Sequence, residues 1–406
     1  MSTGAKRISI VVATKDRYET LFDCVRGLLI NYGSKDCEII VRDNSAQPRA
    51  DEFMAAFEGH PSVVYRADPT PVSQSDNYER AVAMATGDYV TMIGDDDGVA
   101  WGLLQIADWM DRHGIDAFFP GFSVYLWPGV SARFAATNED GRLSFGPRTS
   151  PRLVDAQAQR KAVLASGSTS LEELPRLYYG LVRRTCLDRV RADAGAFFPG
   201  PSPDMANAFA LSYVVDKLAV AELPVFIAGN SRKSAAGMGL RGLHVGEIPT
   251  LPFLPRDTAE KWNPGIPYFW SGQTIWCQSA FTAAAAMGRA SEFESENAYR
   301  RLYARVLVFQ PGFSMRAMRA LRARHPGPGR QVVELAAIAT IAAAMWFSRV
   351  SGFVSRRLLT RRGPVASNTQ VRGLPSVIDA THHVDGVMHA SDLGPWLDRS
   401  MHAAAR

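Results

Sequence analysis

A chain of 406 residues that is 47% hydrophobic and 21% charged is built to bury a core, which excludes disordered and fibrous classes. Its four cysteines, Cys24, Cys37, Cys186 and Cys277, show no CxxC spacing, which argues against a disulfide framework and a structural zinc site and fits a reducing compartment. The net charge of +5 is unevenly spread: from Arg300 onward there are 16 arginines, no lysine and 5 acids, a net +11, so an anionic partner is expected for that part.

The N-terminus, MSTGAKRISIVV, enters a strand pattern without an apolar signal segment, so a cytoplasmic location is expected. Residues 7–14 form a nearly continuous β-branched run, as in a strand covered on both faces. Residues 18–32 have helical spacing, with Leu21, Val25, Leu28 and Leu29 on one side. Strands are expected at 37–45, 62–68 and 88–94, with a capped helix at 75–86 stopped by Gly87, and a further helix at 101–113. Repeated βα units imply a mostly parallel sheet in an α/β layer architecture, with ligands beyond the carboxyl ends of the strands. Residues 14–16, 43–45 and 95–97 fall at such ends and are expected to line one crevice.

Residues 116–127 read as a strand running into a loop, 174–184 and 223–229 as further strands, and 202–219 as a helix with Pro203 in its first turn. Proline-rich sequence near 255 suggests a boundary, followed by mainly helical, basic sequence to about 360. The longest apolar run there, 335–347, is too short for a spanning helix and suits a buried or interfacial one. Residues 361–406 read as a polar, partly disordered tail.

Three adjacent carboxylates, Asp95, Asp96 and Asp97, repel one another unless a cation is held among them. At a strand end they suit a hard divalent cation, Mg2+ or Mn2+, which uses one or two carboxylates plus substrate phosphates; the alternative is a solvated acidic turn. Arg232 and Lys233, in GNSRKSAAGMGLRGLH, have the charge to close over a diphosphate. In that segment His244 is either a further metal ligand or a loop residue. Gly237, Gly239 and Gly242 spell GxGxxG, but without a βαβ unit around them a mobile lid is the better reading.

ISIVVATKDR, EIIVRDNS and NYERAVAMATGDYVTMIGDDDGV, followed by Gly-Leu-Leu, resemble the N-terminal half of family 2 glycosyltransferases of the inverting GT-A type, well over residues 6–115 and more loosely to about 235. The resemblance implies a GT-A domain over 1–250, divided into a nucleotide-binding half (1–125) and an acceptor half (126–250). It implies transfer of a sugar from a nucleotide diphosphate, UDP- or GDP-linked by preference, to the hydroxyl of a glycan or lipid-linked acceptor in bacterial cell-surface polysaccharide or glycoconjugate synthesis. A DXD-type motif would place Asp97 on the metal, Mn2+ or Mg2+, and Asp95 on ribose or sugar, with Asp96 sharing either role. Thr14 and Asp16 would line the nucleoside pocket, and Asp43 would accept from a base N–H. Asp204 stands where the family places a catalytic base, although Pro203-Asp204 replaces the more usual Glu-Asp; capping of its helix is the competing role.

The rival enzyme class is a nucleotidyltransferase, which would carry a Gly-rich basic loop where this chain has ATKDRYET. The rival outside enzymes is an inactive membrane-associated scaffold of the same fold. In residues 298–325 arginines interleave with apolar residues at helical spacing, which suits a peripheral helix pair on an anionic membrane or a helical cap on the enzyme; no nucleic-acid module is evident.

Overall fold

The computed structural model of the chain describes residues 6–57, 60–130, 140–234, 237–238, 245–248, 251, 253–294, 296–359, 369–389 and 393–404. Strands β1 (Ile8–Thr14) and β2 (Cys37–Asp43) are buried at every position, as their apolar runs require. β1 pairs parallel with β2 on one side and with β4 (Tyr89–Ile93) on the other, and β3 (Val63–Ala67) runs parallel to β2 at the edge. In this register Thr14 lies beside Asp43, and Val12 beside Ile93, so the segment after β4 emerges next to the end of β1.

Past β4 the sheet becomes mixed. β10 (Leu181–Arg183) is antiparallel to β4 and β6 (Ala117–Phe119), and β11 (Leu218–Val220) and β9 (Arg152–Val154) complete the order β3-β2-β1-β4-β10-β6-β11-β9. A second sheet has the order β13-β8-β7-β12-β5, from β5 (Gly98–Val99), β7 (Ser123–Leu126), β8 (Arg142–Phe145), β12 (Phe226–Asn230) and β13 (Thr369–Arg372).

Alternate residues of β1 feed two cores, as the strand period dictates. Ile8, Ile10 and Val12 pack with α1 (Tyr18–Tyr32), α2 (Ala50–Phe57) and α4 (Leu103–His113). Val11 and Ala13 share a core with α3 (Gln74–Val82), α5 (Ala156–Ala165), α6 (Arg184–Ala194) and α7 (Pro203–Leu211). This second core continues without a break into α8 (Gly272–Ala286), α9 (Glu296–Phe309), α10 (Ser314–Arg324) and α11 (Pro328–Leu359) through Ile275, Leu302, Tyr303, Ala317 and Ile338.

The proline-rich stretch near 255 is therefore no seam in the packing, and the basic helix 298–309 is no surface appendage. The tail also departs from expectation. β13 adds to β8 in antiparallel register, and α12 (Val377–His389) and α13 (Leu393–Ala404) bury Val377, Val384, Met388 and Leu397 in the first core. Polar anchors reinforce the return: Asp385 accepts from the Trp101 N–H at 2.7 Å, and Asp398 meets Arg112 and His113 at 3.1 and 2.8 Å. Polar composition hid the 377, 380, 384, 388 spacing of an amphipathic helix.

Two other elements are shorter than expected. The helix over 202–219 ends at Leu211, because Leu218–Val220 are drawn into the sheet between β6 and β9. Only 181–183 of the 174–184 segment is strand. Conversely, the apolar run 335–347 is the middle of a 32-residue helix, α11.

Candidate functional site

The parallel strands carry the acidic turn to the carboxyl end of the sheet. All three carboxylates are buried: Asp95 is 0% exposed, Asp96 3% and Asp97 1%. Thr14 Oγ1 donates to Asp95 Oδ2 at 2.5 Å, joining the ends of β1 and β4. Arg17, in the loop after β1, places its guanidinium between the first two acids, 2.7 Å from Asp95 Oδ1 and 3.6 Å from Asp96 Oδ1.

Asp97 faces the other way. Its Oδ1 accepts from the Gly229 N–H at 2.7 Å, and its Oδ2 from the Gly94 N–H at 2.5 Å and the hydroxyls of Tyr179 and Tyr178 at 2.9 and 3.3 Å. Asp97, expected as the metal ligand, is thus fully engaged in binding the second sheet to the first. The approach of β12 is so close that a Cβ at Gly229 would lie 1.7 Å from the Asp96 carbonyl oxygen, so only glycine fits. Asp96 Oδ2 accepts from the Ser231 N–H at 3.0 Å.

Burial, with the Asp96 charge beside them, raises the carboxyl groups of both Asp95 and Asp97 well above the ordinary range; Arg17 opposes this at Asp95, and the Gly229 N–H at Asp97. Burial, then the Asp97 charge, holds Tyr178 and Tyr179 protonated as donors. Arg17 is pulled down by burial, but Asp95 and Asp96 outweigh this and keep it charged.

Two oxygens stand out. Asp95 Oδ1 accepts no hydrogen bond among the described residues and is held in an ion pair with Arg17 Nη2 at 2.7 Å. Asp96 Oδ1 receives none among the described residues and faces Arg17 alone. No group of three or more His, Cys, Asp or Glu side chains among the described residues is arranged to hold a metal. A divalent cation completed by donor phosphates needs only one or two carboxylates, and Asp95 with Asp96 supply that number.

The other expected residues fall into place unevenly. Asp43 is fully buried: Oδ1 accepts from the Ser45 N–H at 2.8 Å, and Oδ2 from the hydroxyls of Tyr18 and, at 2.7 Å, Tyr65. With these donors it fixes the loop after β2 rather than presenting an open acceptor. Asp16 is exposed with a left-handed backbone (φ 55°), its N–H donating to Ser45 Oγ at 2.8 Å. Arg232 and Lys233 are exposed in the turn directly after Ser231, beside Asp96. His244, Gly239 and Gly242 lie outside the described residues.

Asp204 lies on the adjoining wall, in the first turn of α7. Oδ1 accepts from the Ser202 hydroxyl at 2.5 Å and the Met205 N–H at 2.7 Å, and Oδ2 from Trp276 Nε1 at 3.0 Å. Two links tie this wall to the acidic turn. Asn207 Oδ1 accepts from the Leu177 N–H at 3.2 Å, next to Tyr178. Ser75 at the start of α3 donates to the Gly200 and Pro201 carbonyls, while Asn77 donates to that of Thr14. Burial lowers Arg176 to about 10 against the opposing charge of Asp204. A cavity of about 840 Å3 opens beside α3, lined by Ser73, Asp76, Leu251, Leu254, Arg256 and Thr258 among others, and by none of the expected donor-site residues.

Replacing Asp97 with Ala removes the acceptor for two backbone N–H groups and two hydroxyls in a buried place. Relief of like-charge repulsion offsets part of this, but each unsatisfied donor costs about 1–3 kcal/mol. Urea unfolding is expected to show a loss of about 2 kcal/mol or more; unchanged stability would assign Asp97 no structural role.

A mixed sheet with a parallel N-terminal half, covered by helices and with polar groups gathered beyond its parallel strand ends, defines an α/β protein with a ligand crevice. Residues 9–162 match the family model described as Glycosyl transferase family 2. No curated protein matches the chain in sequence. Among solved structures it is similar to S. aureus TarS, with 14% identity and a TM-score of 0.43 over 77% of this chain and 55% of that one. The chain thus spans about half the length of that protein. It is also similar to S. aureus TarS 1–349 in complex with UDP-GlcNAc (12%, TM-score 0.44, 79% of this chain and 92% of that one). A third is the mannosyltransferase PcManGT from Pyrobaculum calidifontis in complex with GDP-Man and Mn2+ (14%, TM-score 0.36, 84% and 88%). Likeness at this level assigns no role to any residue here.

Proposed function

We propose that the chain is an inverting glycosyltransferase that moves a sugar from a nucleotide diphosphate to a hydroxyl acceptor. The observation that carries this is the segment matching the family 2 model, whose strand ends gather Asp95 and Asp96 with one oxygen each that faces Arg17 and accepts no hydrogen bond among the described residues; a cation bound there would take the place of the Arg17 charge. Asp96, with Asp95 beside it, replaces Asp97 as the residue to hold a divalent cation. Bound there, Mn2+ or Mg2+ would offset the negative charge of the donor diphosphate.

The chain's own groups divide the remaining work. Thr14 and Asp16 flank the donor at the end of β1. Arg232 and Lys233, exposed in the turn after Ser231, whose N–H donates to Asp96, neutralise the departing diphosphate. Asp204 takes the proton of the acceptor hydroxyl as its oxygen bonds to the anomeric carbon and the bond to the diphosphate breaks; attack from the opposite side inverts the centre. Trp276 and the Met205 N–H hold the Asp204 carboxylate in place. A glycan or lipid-linked acceptor and a cytoplasmic setting complete the reading; the four cysteines are all unpaired and buried, as a reducing setting allows.

A thermal-shift panel of UDP-, GDP- and dTDP-sugars with Mn2+ tests it, because a ligand that binds the native state raises apparent stability. One donor class is expected to raise Tm in a cation-dependent way. No shift with any of them would contradict the proposal.

A further inference from the structure

We propose that α11 docks the protein on an anionic bilayer, lying in the membrane plane with its outward face among the lipids. This inference concerns a surface remote from the acidic turn and does not rest on the transfer reaction. Pro328–Ser351 is long and apolar enough to cross a membrane by length and composition, with a mean hydropathy of 1.5, yet only 11% of its apolar window is buried. A core helix of a soluble protein would be mostly covered.

The burial follows one stripe. Glu334 and Ile338 are covered by the protein, and Ile341, Ala342 and Met345 pack partly against its core. On the opposite side Val332, Val333, Trp346 and Phe347 are 57–72% exposed. From Leu335 to Phe347 the sequence contains no charged residue. A solvated helix face would carry charges; this one is apolar on both sides, which calls for a cover. The patch extends beyond α11: Phe309 at the end of α9 is exposed, and the Arg349 guanidinium lies 5.3 Å from its ring centre.

Two observations select the bilayer surface. Glu334 is buried in ion pairs with Arg300 at 2.6 Å and Arg330 at 3.1 Å, which fastens the start of α11 along α9. A spanning helix would have to pull this pair and Ile338 out of the protein, so α11 lies flat. Charge decides against a second copy. Arg330 and Arg349 bracket the apolar stretch, and exposed Arg319 and Arg322 project from neighbouring α10. Two copies meeting here would bring the arginines of both faces together, whereas anionic lipid neutralises them. The lipid-facing element is thus α11, in place of the 298–325 pair, whose first helix is core.

The test is co-sedimentation of the full chain with phosphatidylcholine vesicles, with and without phosphatidylglycerol. Binding is expected only with the anionic lipid, and it should weaken as salt rises. The double variant Trp346→Glu/Phe347→Glu should reduce binding at least about tenfold. As a check independent of that variant's folding, Trp346→Phe should bind as well as wild type but lose part of the fluorescence quenching by brominated lipid. Equal binding to neutral vesicles, wild-type binding by the double variant, or quenching unaffected by Trp346→Phe would each overturn the proposal. So would a lipid-free dimer that the double variant dissociates.

Discussion

Asp204→Asn is expected to keep donor binding while transfer to a hydroxyl acceptor falls by about 10²–10⁴-fold, the usual cost of removing a general base. The substitution preserves size, and Asn serves helix starts nearly as well as Asp. Its side-chain oxygen can still accept from the Met205 N–H, so α7 keeps its first turn. What disappears is the capacity to take a proton, together with the acceptor for Trp276 Nε1. The alternative role, capping, predicts something else: a loss of stability of about 1 kcal/mol or less, with activity tracking the folded fraction. Transfer rate and urea midpoint measured on the same preparation separate the two. Near-normal transfer by a folded variant would place the base elsewhere.

Removing residues 298–406 is expected to abolish folding rather than merely detach a basic tail. Leu302, Ala304 and Val306 of α9 are 0% exposed, and Val384, Met388 and Leu397 are equally buried over the helices that flank β1. Burying each large apolar side chain contributes about 1.5–3 kcal/mol, so losing even six such side chains rivals the 5–15 kcal/mol that typically holds a domain together. The deletion also strips β13 from β8 and removes the partners of Trp101, Arg112 and His113. Soluble expression and circular dichroism of the truncated chain check this. A folded 1–297 fragment that still binds donor would contradict the single continuous packing described above.

The N-terminal part was legible because its signals are local. The short apolar, β-branched runs within β1, β2 and β4 mark strands covered on both faces, and the strand-end rule then brings Thr14, Asp43 and residues 95–97 together. The roles within the crevice were less legible, because partners distant in sequence set them. Asp97 is claimed by Gly229 and by Tyr178 and Tyr179, which arrive through β12 and through the chain leading into β10. No spacing in GDDDGV could reveal that. Asp43 is likewise closed off by Tyr18 and Tyr65. Arg17 was within reach: it follows Asp16 in the same loop at the end of β1, where a cation facing three acids has an obvious use. Trp276 was not, since it reaches Asp204 from a helix 72 positions on.

The C-terminal third misled for a compositional reason. Sixteen arginines drew attention to charge, while the structure places α9 in the core and leaves the outer face of α11 uncovered. Arg300 shows how both hold at once, its charge being used inside the protein against Glu334.

Release of nucleoside diphosphate from the donor identified by thermal shift, compared between wild type and Asp96→Asn with Mn2+ present and absent, shows whether Asp96 holds a cation that the transfer needs. The variant keeps an oxygen for the Ser231 N–H and so spares the turn between the two sheets. Wild type is expected to release diphosphate only with the cation, and folded Asp96→Asn to release little in either condition. Release by wild type that ignores the cation, or equal release by Asp96→Asn, would contradict the site as assigned.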